Sequence, residues 1–271
     1  MGGKKRAMTF LDAPRGRQIR EIFKNRVAII SGGLGDIGQA IAKEFARHGA
    51  AISIGDVHSA TDARPLMKRF GNAKVLYQQV DVADANAVAG WVNQTEKELG
   101  VPDLIIPNAA TLKVAGFSRI KPDEWSRSLR VNLDGAFHLA QAATQRLLYN
   151  RLPGRVVFLG SWAAHAVHQN IVAYCVAKAG IRMLCKCMAM ELAAHHILVN
   201  EVAPGYVDGG MSKRFWQKKP AVQERARRRV PVQKLIDARE VALQVIHLCH
   251  PDNQHMTGST LLMDGGLSLR S

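Results

Sequence analysis

From Arg26 onward, short runs rich in β-branched residues alternate with segments of helical periodicity, and that alternation leaves few ways to fold. Parallel strands buried on both faces read as continuous apolar runs, and each needs a crossover helix to reach the next. The pattern predicts a doubly wound α/β fold: a parallel sheet of about seven strands with helices on both faces. Strands are expected at Val27 to Ser31, Ala51 to Gly55, Lys74 to Gln79, Leu104 to Ile106, Arg155 to Leu159, Leu198 to Val202 and Ser259 to Met263. A helix from Ile37 to Arg47 places Ile37, Ile41, Ala42 and Phe45 on one face, and Gly49 closes it. Longer helices are expected near 122 to 149 and 171 to 194, and another begins at Asp237 with Glu240 as its capping-box partner. No repeat or linker divides the chain, so residues 26–271 read as one domain behind a basic extension, residues 1–25.

Charge narrows the partners. The formal net charge of +15 raises nucleic acid or an anionic surface, but the charge is not spread over a groove. Residues 1–26 hold eight basic and two acidic groups, and residues 213–234 hold nine basic and one acidic. The remainder is almost neutral, which argues against nucleic acid as the main partner. No run approaches 18 apolar residues and the N-terminus has no apolar signal core, so neither a membrane span nor a secretory leader is expected. Four cysteines, Cys175, Cys185, Cys187 and Cys249, lack disulfide-scaffold density and metal-ligand spacing. Reduced thiols, no metal and a cytoplasmic location are the expectation; Cys185 and Cys187 read as helix-interior residues, with Met183, Met188 and Met190 as core filler.

The turn after the first strand carries chemistry. Gly33, Gly35 and Gly38 form a G-x-G-x-x-G between a buried strand and a helix, and Asp56 ends the next strand 18 residues after Gly38. Glycines let backbone amides approach a pyrophosphate at a helix N-terminus, where unpaired N–H groups and the helix dipole favour anions. A tight βα turn with no ligand is the bland alternative, and the Asp56 spacing weighs against it. The Asp56 carboxylate suits the ribose hydroxyls of NAD and repels the 2′-phosphate of NADP, by about 4 kcal/mol per unit charge at 4 Å in a medium of dielectric about 20. NAD is the expected cofactor, with His58 and Arg64 near enough in sequence to soften the preference.

Tyr174 and Lys178 stand four apart on an expected helix, hence on one face. Ser161 follows the fifth strand at the carboxyl edge of the sheet, where ligands of doubly wound folds bind. At this point the chain, over about residues 26–267, resembles the short-chain dehydrogenase/reductases with a single Rossmann domain. Ser31 and Gly32 through Gly38 resemble the family's glycine turn, Asp81-Val82 its adenine contact, and Asn108-Ala109-Ala110 its Asn-Asn-Ala-Gly segment. Asn132, Ser161, Tyr174 and Lys178 match the catalytic tetrad; Pro204-Gly205 and Asp264-Gly265-Gly266 match later signatures. The resemblance implies cofactor contacts at Gly32, Leu34, Gly35, Asp36, Ile37, Gly38, Asp56, Asp81, Val82, Asn108, Ala109, Ala110, Tyr174, Lys178, Pro204, Gly205 and Val207.

The implied reaction interconverts a secondary alcohol and a ketone. Tyr174 exchanges the proton, Ser161 holds the substrate oxygen, and Lys178 holds the nicotinamide ribose and lowers the tyrosine pKa by about three units if it stands near 4 Å. Asn132, on the family's pattern, anchors a water that relays the proton. Four positions depart from the pattern: Asp36, Pro107, Ala110 and Gly209. Asp36 replaces a glycine where a pyrophosphate would sit, and is expected to point to solvent. A substrate lid is expected over about 206–232, with Tyr206, Met211, Phe215 and Trp216 as apolar cover. Its basic residues, Lys218, Lys219 and Arg225 to Arg229, either recognise an anionic substrate group or form a solvated helix face. Trp162, His165 and His168 are placed to line the pocket. The long helices imply a homo-oligomer, tetramer or dimer. Two other readings stay open: an NADPH-dependent ketone or oxoacyl reductase, and a non-catalytic nucleotide-binding regulator.

Overall fold

All five residues of the first strand, β1 (Val27–Ser31), are buried, as a strand covered on both faces requires. Its side chains alternate between two cores: Ala28 and Ile30 face one, Ile29 the other. The computed structural model describes residues 21–210, 216 and 220–269. Residues 1–20 of the basic extension and the lid residues Met211, Phe215, Lys218 and Lys219 therefore lie outside the described residues. The expected boundary at Arg26 is corrected: Phe23 is fully buried in the first core, its ring 5.1 Å from that of Phe45, so the domain begins before Arg26.

The remaining strands are β2 (Ala51–Asp56), β3 (Val75–Gln79), β4 (Leu104–Ile106), β5 (Gly154–Leu159), β6 (Ile197–Pro204) and β7 (Thr260–Met263). All pair in parallel, in the order β3-β2-β1-β4-β5-β6-β7. After β3 the chain returns to the other side of β1, so a crevice opens beyond the carboxyl ends of β1 and β4. This is the doubly wound fold expected from the alternation.

Eight helices are described: α1 (Asp36–Arg47), α2 (Ala60–Met67), α3 (Ala85–Leu99), α4 (Pro122–Leu129), α5 (Gly135–Asn150), α6 (Val172–Leu192), α7 (Pro220–Arg229) and α8 (Ala238–Cys249). One core lies between the sheet and α1 with α8, built on Ile41, Phe45, Val241 and Val245. The other lies under α3, α5 and α6, built on Trp91, Leu139, Leu147 and Ile181. Asp237 caps α8 in a capping box with Glu240, as its sequence signature requires. Helices α2, α3 and α7 add to those expected; α3 carries Val88, Trp91 and Val92 at i, i+3 and i+4 on its buried face. Pro65 lies inside α2, which continues to Met67, and α3 is capped by Asp84, whose carboxylate accepts from the Asn86 and Ala87 amides at 2.9 and 3.1 Å.

The helix expected near 122 to 149 is present as one winding from Pro122 to Asn150, with a π turn over Arg130–Asp134 where Asn132 accepts from the Thr111 amide. One further expectation is corrected. Met183 and Met190, expected as core filler, are 59% and 86% exposed; only Met188 of the three packs against the second core. Among the described residues, no helix is long and apolar enough to cross a membrane.

Candidate active site

The crevice beyond β1 begins with Gly32, held at φ +62°, a left-handed conformation that a glycine adopts without strain. A Cβ here would sit 2.7 Å from the Ala109 Cα, so the turn and the segment after β4 touch through backbone. Asn108 fastens the two by donating from Nδ2 to the Ser31 and Gly32 carbonyls, at 2.9 and 3.0 Å. Ser31 completes the clamp, its Oγ accepting from the Asn108 and Ala109 amides at 3.0 and 3.1 Å. Ser31 was recognised only as part of the glycine motif; its role appears once β1 and β4 are seen to be neighbours.

Gly35 begins α1 with no side-chain cap, leaving the first-turn amides of Asp36, Ile37 and Gly38 able to bind an anion. Asp56, 7% exposed, accepts from the Leu34 amide at 3.0 Å and meets His58 Nδ1 at 2.6 Å. These groups fit a dinucleotide: uncapped amides for pyrophosphate, and a carboxylate for ribose hydroxyls. Asp36 does not turn to solvent as expected. Its Oδ2 accepts from the Gly210 amide at 2.8 Å, tying the helix start to the beginning of the lid. The sequence could not reveal this contact, which spans 174 positions.

Asp81 accepts from the Ala83 amide and from Arg127, both at 3.0 Å. Val82 is buried beside it, and its carbonyl pairs with His138 Nδ1. Ala110 is partly buried beyond Ala109. On the other side of the crevice, Pro204 ends β6 and the Gly205 amide donates to the Met263 carbonyl at 2.9 Å. Val207 is buried and bridges to Ile236.

Ser161, Tyr174 and Lys178 come together at the carboxyl end of β5. Ser161 caps a short 3-10 turn, its Oγ accepting from the Ala163 amide at 3.1 Å. The Ser161 hydroxyl lies near enough to the Tyr174 phenol to lower its pKa. Lys178, 2% exposed, puts Nζ 5.5 Å from the Tyr174 ring centroid and donates to the Leu159 carbonyl at 2.7 Å. Burial pushes the Tyr174 phenol up to about 12, outweighing the Ser161 hydroxyl that lowers it. Burial likewise brings Lys178 down to about 8, against the opposing pull of Glu201. Against the expected acidification of Tyr174 by Lys178, the ammonium is directed at a carbonyl and burial raises the phenol.

Asn132 is fully buried in the π turn. Its Oδ1 accepts from the Thr111 amide at 3.0 Å, and Nδ2 donates to the Thr111 and Ser128 carbonyls, each at 2.9 Å. The side chain clamps the loop after β4 onto the helix.

On the substrate side, Trp162 stacks edge-on with His168 at 4.2 Å and Tyr206 at 5.2 Å, and Tyr206 with Trp216 at 6.4 Å. Trp162, Tyr206 and Val230 share a small apolar cluster. His168 packs into this wall, whereas His165 is exposed. Arg227 and Arg228 are both engaged by Glu224, at 2.7 and 2.8 Å, which favours the solvated-face reading of α7. A cavity of about 440 Å³ between Asp208, Glu224 and Lys234 does not include Ser161, Tyr174 or Lys178 in its lining.

A family model described as enoyl-(acyl carrier protein) reductase matches residues 33–268. The 3-oxoacyl-(acyl-carrier-protein) reductase FabG of Haemophilus influenzae is 30% identical over 247 residues, covering 91% of this chain and 100% of that protein. A short-chain type dehydrogenase/reductase from Mycobacterium marinum superposes with a TM-score of 0.84 at 28% identity, over 92% of this chain and 98% of that one. A short-chain dehydrogenase/reductase from Serratia marcescens does so with 0.84 at 29%, over 91% and 99%.

Proposed function

The chain belongs to the short-chain dehydrogenase/reductase family, and we propose that it reduces a ketone of the 3-oxoacyl class to the secondary alcohol. The observation that carries this reading is the meeting of Ser161, Tyr174 and Lys178 at the end of β5, with Lys178 Nζ 5.5 Å from the Tyr174 ring centroid. Burial raises the Tyr174 phenol, which suits it to give a proton when a carbonyl becomes an alkoxide. The relatives named as 3-oxoacyl reductases support the same direction and the acyl substrate class. The opposite emphasis, oxidation of a general secondary alcohol, has no comparable support.

A bound reduced nicotinamide supplies hydride to the carbonyl carbon. Ser161 would hold the carbonyl oxygen and Tyr174 would give it a proton, while Lys178 would hold the cofactor ribose beside the tyrosine. Asn132 fixes the loop over which the site closes. The aromatic wall of Trp162, Tyr206 and Trp216 excludes water and suits an acyl chain.

The cofactor reading follows Asp56. A carboxylate 7% exposed at the end of β2 accepts hydroxyl hydrogen bonds and opposes a 2′-phosphate, so NADH is the preferred reductant. A second reading, NADPH, is favoured by the His58 imidazole 2.6 Å from that carboxylate, since a protonated imidazole would offset its charge. Initial-rate assays with 3-oxoacyl thioesters and each cofactor decide both points; absence of turnover with either cofactor would overturn the reading. The exposed apolar side chains Val176, Met183 and Met190 on α6 support a homo-oligomer, dimer or tetramer, which sedimentation would test.

A further inference from the structure

Tyr174, Lys178 and Arg182 stand at successive four-residue steps of α6, so one face of the helix presents all three. The reaction uses the first two. Arg182 reaches in two directions from the same face. Its Nε donates to Glu201 Oε2 at 3.1 Å, and another guanidinium nitrogen donates to the Ala164 carbonyl at 3.0 Å. Ala164 ends the turn that Ser161 caps.

Glu201, on β6, is fully buried. Its carboxylate accepts from Arg182 and from Thr260 Oγ1 of β7 at 2.6 Å. It also lies directly over Gly160, the residue before Ser161: a Cβ on Gly160 would overlap the carboxylate. The Gly160 amide meanwhile donates to the Val202 carbonyl at 2.8 Å. The turn bearing Ser161 therefore packs against Glu201 at Gly160 and is bonded from the helix side by Arg182.

We propose that Glu201 and Arg182 form a buried positioning pair that sets Ser161 against Tyr174 and Lys178. The pair fixes the spacing between the β5 turn and the reactive face of α6. A buried ion pair is poor evidence of stabilisation by itself, because two desolvated charges roughly cancel the gain of their attraction. Its placement gives it another use. Glu201 is bonded by Arg182 from α6 and Thr260 from β7, and its charge also acts on Lys178 and Cys185 of α6 and on the exposed His165. Lys178 in turn faces the Tyr174 ring and the Leu159 carbonyl. Glu201 also opposes the loss of charge on Lys178.

The inference rests on the reductase reading, and its test separates the two. Glu201→Gln, Arg182→Met and the double variant are compared with the wild-type full chain. Either single change leaves one buried charge unmatched and can cost folding, whereas the double change removes both. The double variant is expected to fold, by circular dichroism and melting temperature. Its reductive kcat is expected to be about 10–100-fold lower, with the cofactor KM changed less than about twofold, as loss of alignment without loss of binding requires. In Glu201→Gln, the titration midpoint of Lys178, followed by ¹³C-lysine NMR, is expected to fall by about one pH unit. The alkaline limb of the reductive pH profile should fall with it. A folded double variant with wild-type kcat, or an unmoved Lys178 midpoint, overturns the pair's role. Wild-type protein without turnover overturns the reductase reading instead, and the NMR titration, which needs no substrate, still judges the pair.

Discussion

Lys178 Nζ donates to the Leu159 carbonyl at 2.7 Å, joining the middle of the catalytic helix to the strand end two residues before Ser161. The ammonium is thus held by backbone rather than by the tyrosine oxygen. It keeps one hydrogen-bond direction fixed and leaves its other N–H groups for a ribose. Each expectation about turnover follows from that division and from the proposal that Tyr174 carries the proton while Lys178 supports the exchange.

Tyr174→Phe removes the donor and leaves the ring that Lys178 faces. Reductive kcat should drop about 10²–10⁴-fold, the usual worth of one general acid. Cofactor affinity, read by fluorescence titration, should stay close to wild type. Retention of most of the turnover would remove Tyr174 from the chemistry.

The pH profiles should differ by direction. Reduction needs Tyr174 protonated, which holds throughout since its pKa is raised to about 12. It also needs Lys178 charged, which fails above its lowered value of about 8. Reductive kcat/KM is therefore flat at neutral pH and declines above about 8. Oxidation needs the phenolate, so its kcat/KM should climb about tenfold per unit below pH 8. A reductive profile that rises through pH 8 would contradict the assignment.

Asp56→Asn keeps an acceptor for the Leu34 amide and removes the charge. Wild-type protein should use NADH with the higher kcat/KM, and the variant should lose about 10–100-fold of that preference. Paired assays with NADH and NADPH measure it. Preference for NADPH in the wild type would favour the His58 reading.

Asn132→Ala deletes three buried hydrogen bonds and strands the Thr111 and Ser128 backbone groups. Stability should fall by about 2–3 kcal/mol, visible as a melting temperature lower by about 4–10 °C. Turnover should fall as well, because the loop after β4 loses its anchor. A variant with unchanged melting temperature would show that the clamp is not needed.

Much of the fold is legible in the chain because burial is repetitive. The strand runs around Ile29, Ile105 and Val156 are apolar on both faces, and no helix pattern accounts for them. The partnership of Tyr174 with Lys178 is legible because helical spacing alone brings them together. Contacts between distant segments are not. Asp36 meets Gly210 and Glu201 covers Gly160 only after seven strands have been set in order. The polarity of a buried site escapes as well: Tyr174 beside Lys178 suggests acidification, yet desolvation decides, and desolvation depends on everything packed around the pair.

The wide turn at Arg130–Asp134 sets the phase of all that follows it. The turn takes up one residue more than ordinary winding, so deleting one residue there would restore α geometry and leave Leu139, Ala143 and Leu147 on the sheet they cover. What the deletion would cost is the displaced Asn132 side chain and its bonds to Thr111. A one-residue deletion should therefore give protein that folds, by circular dichroism, with the loop after β4 released; an unfolded product would show that the extra residue is needed for packing.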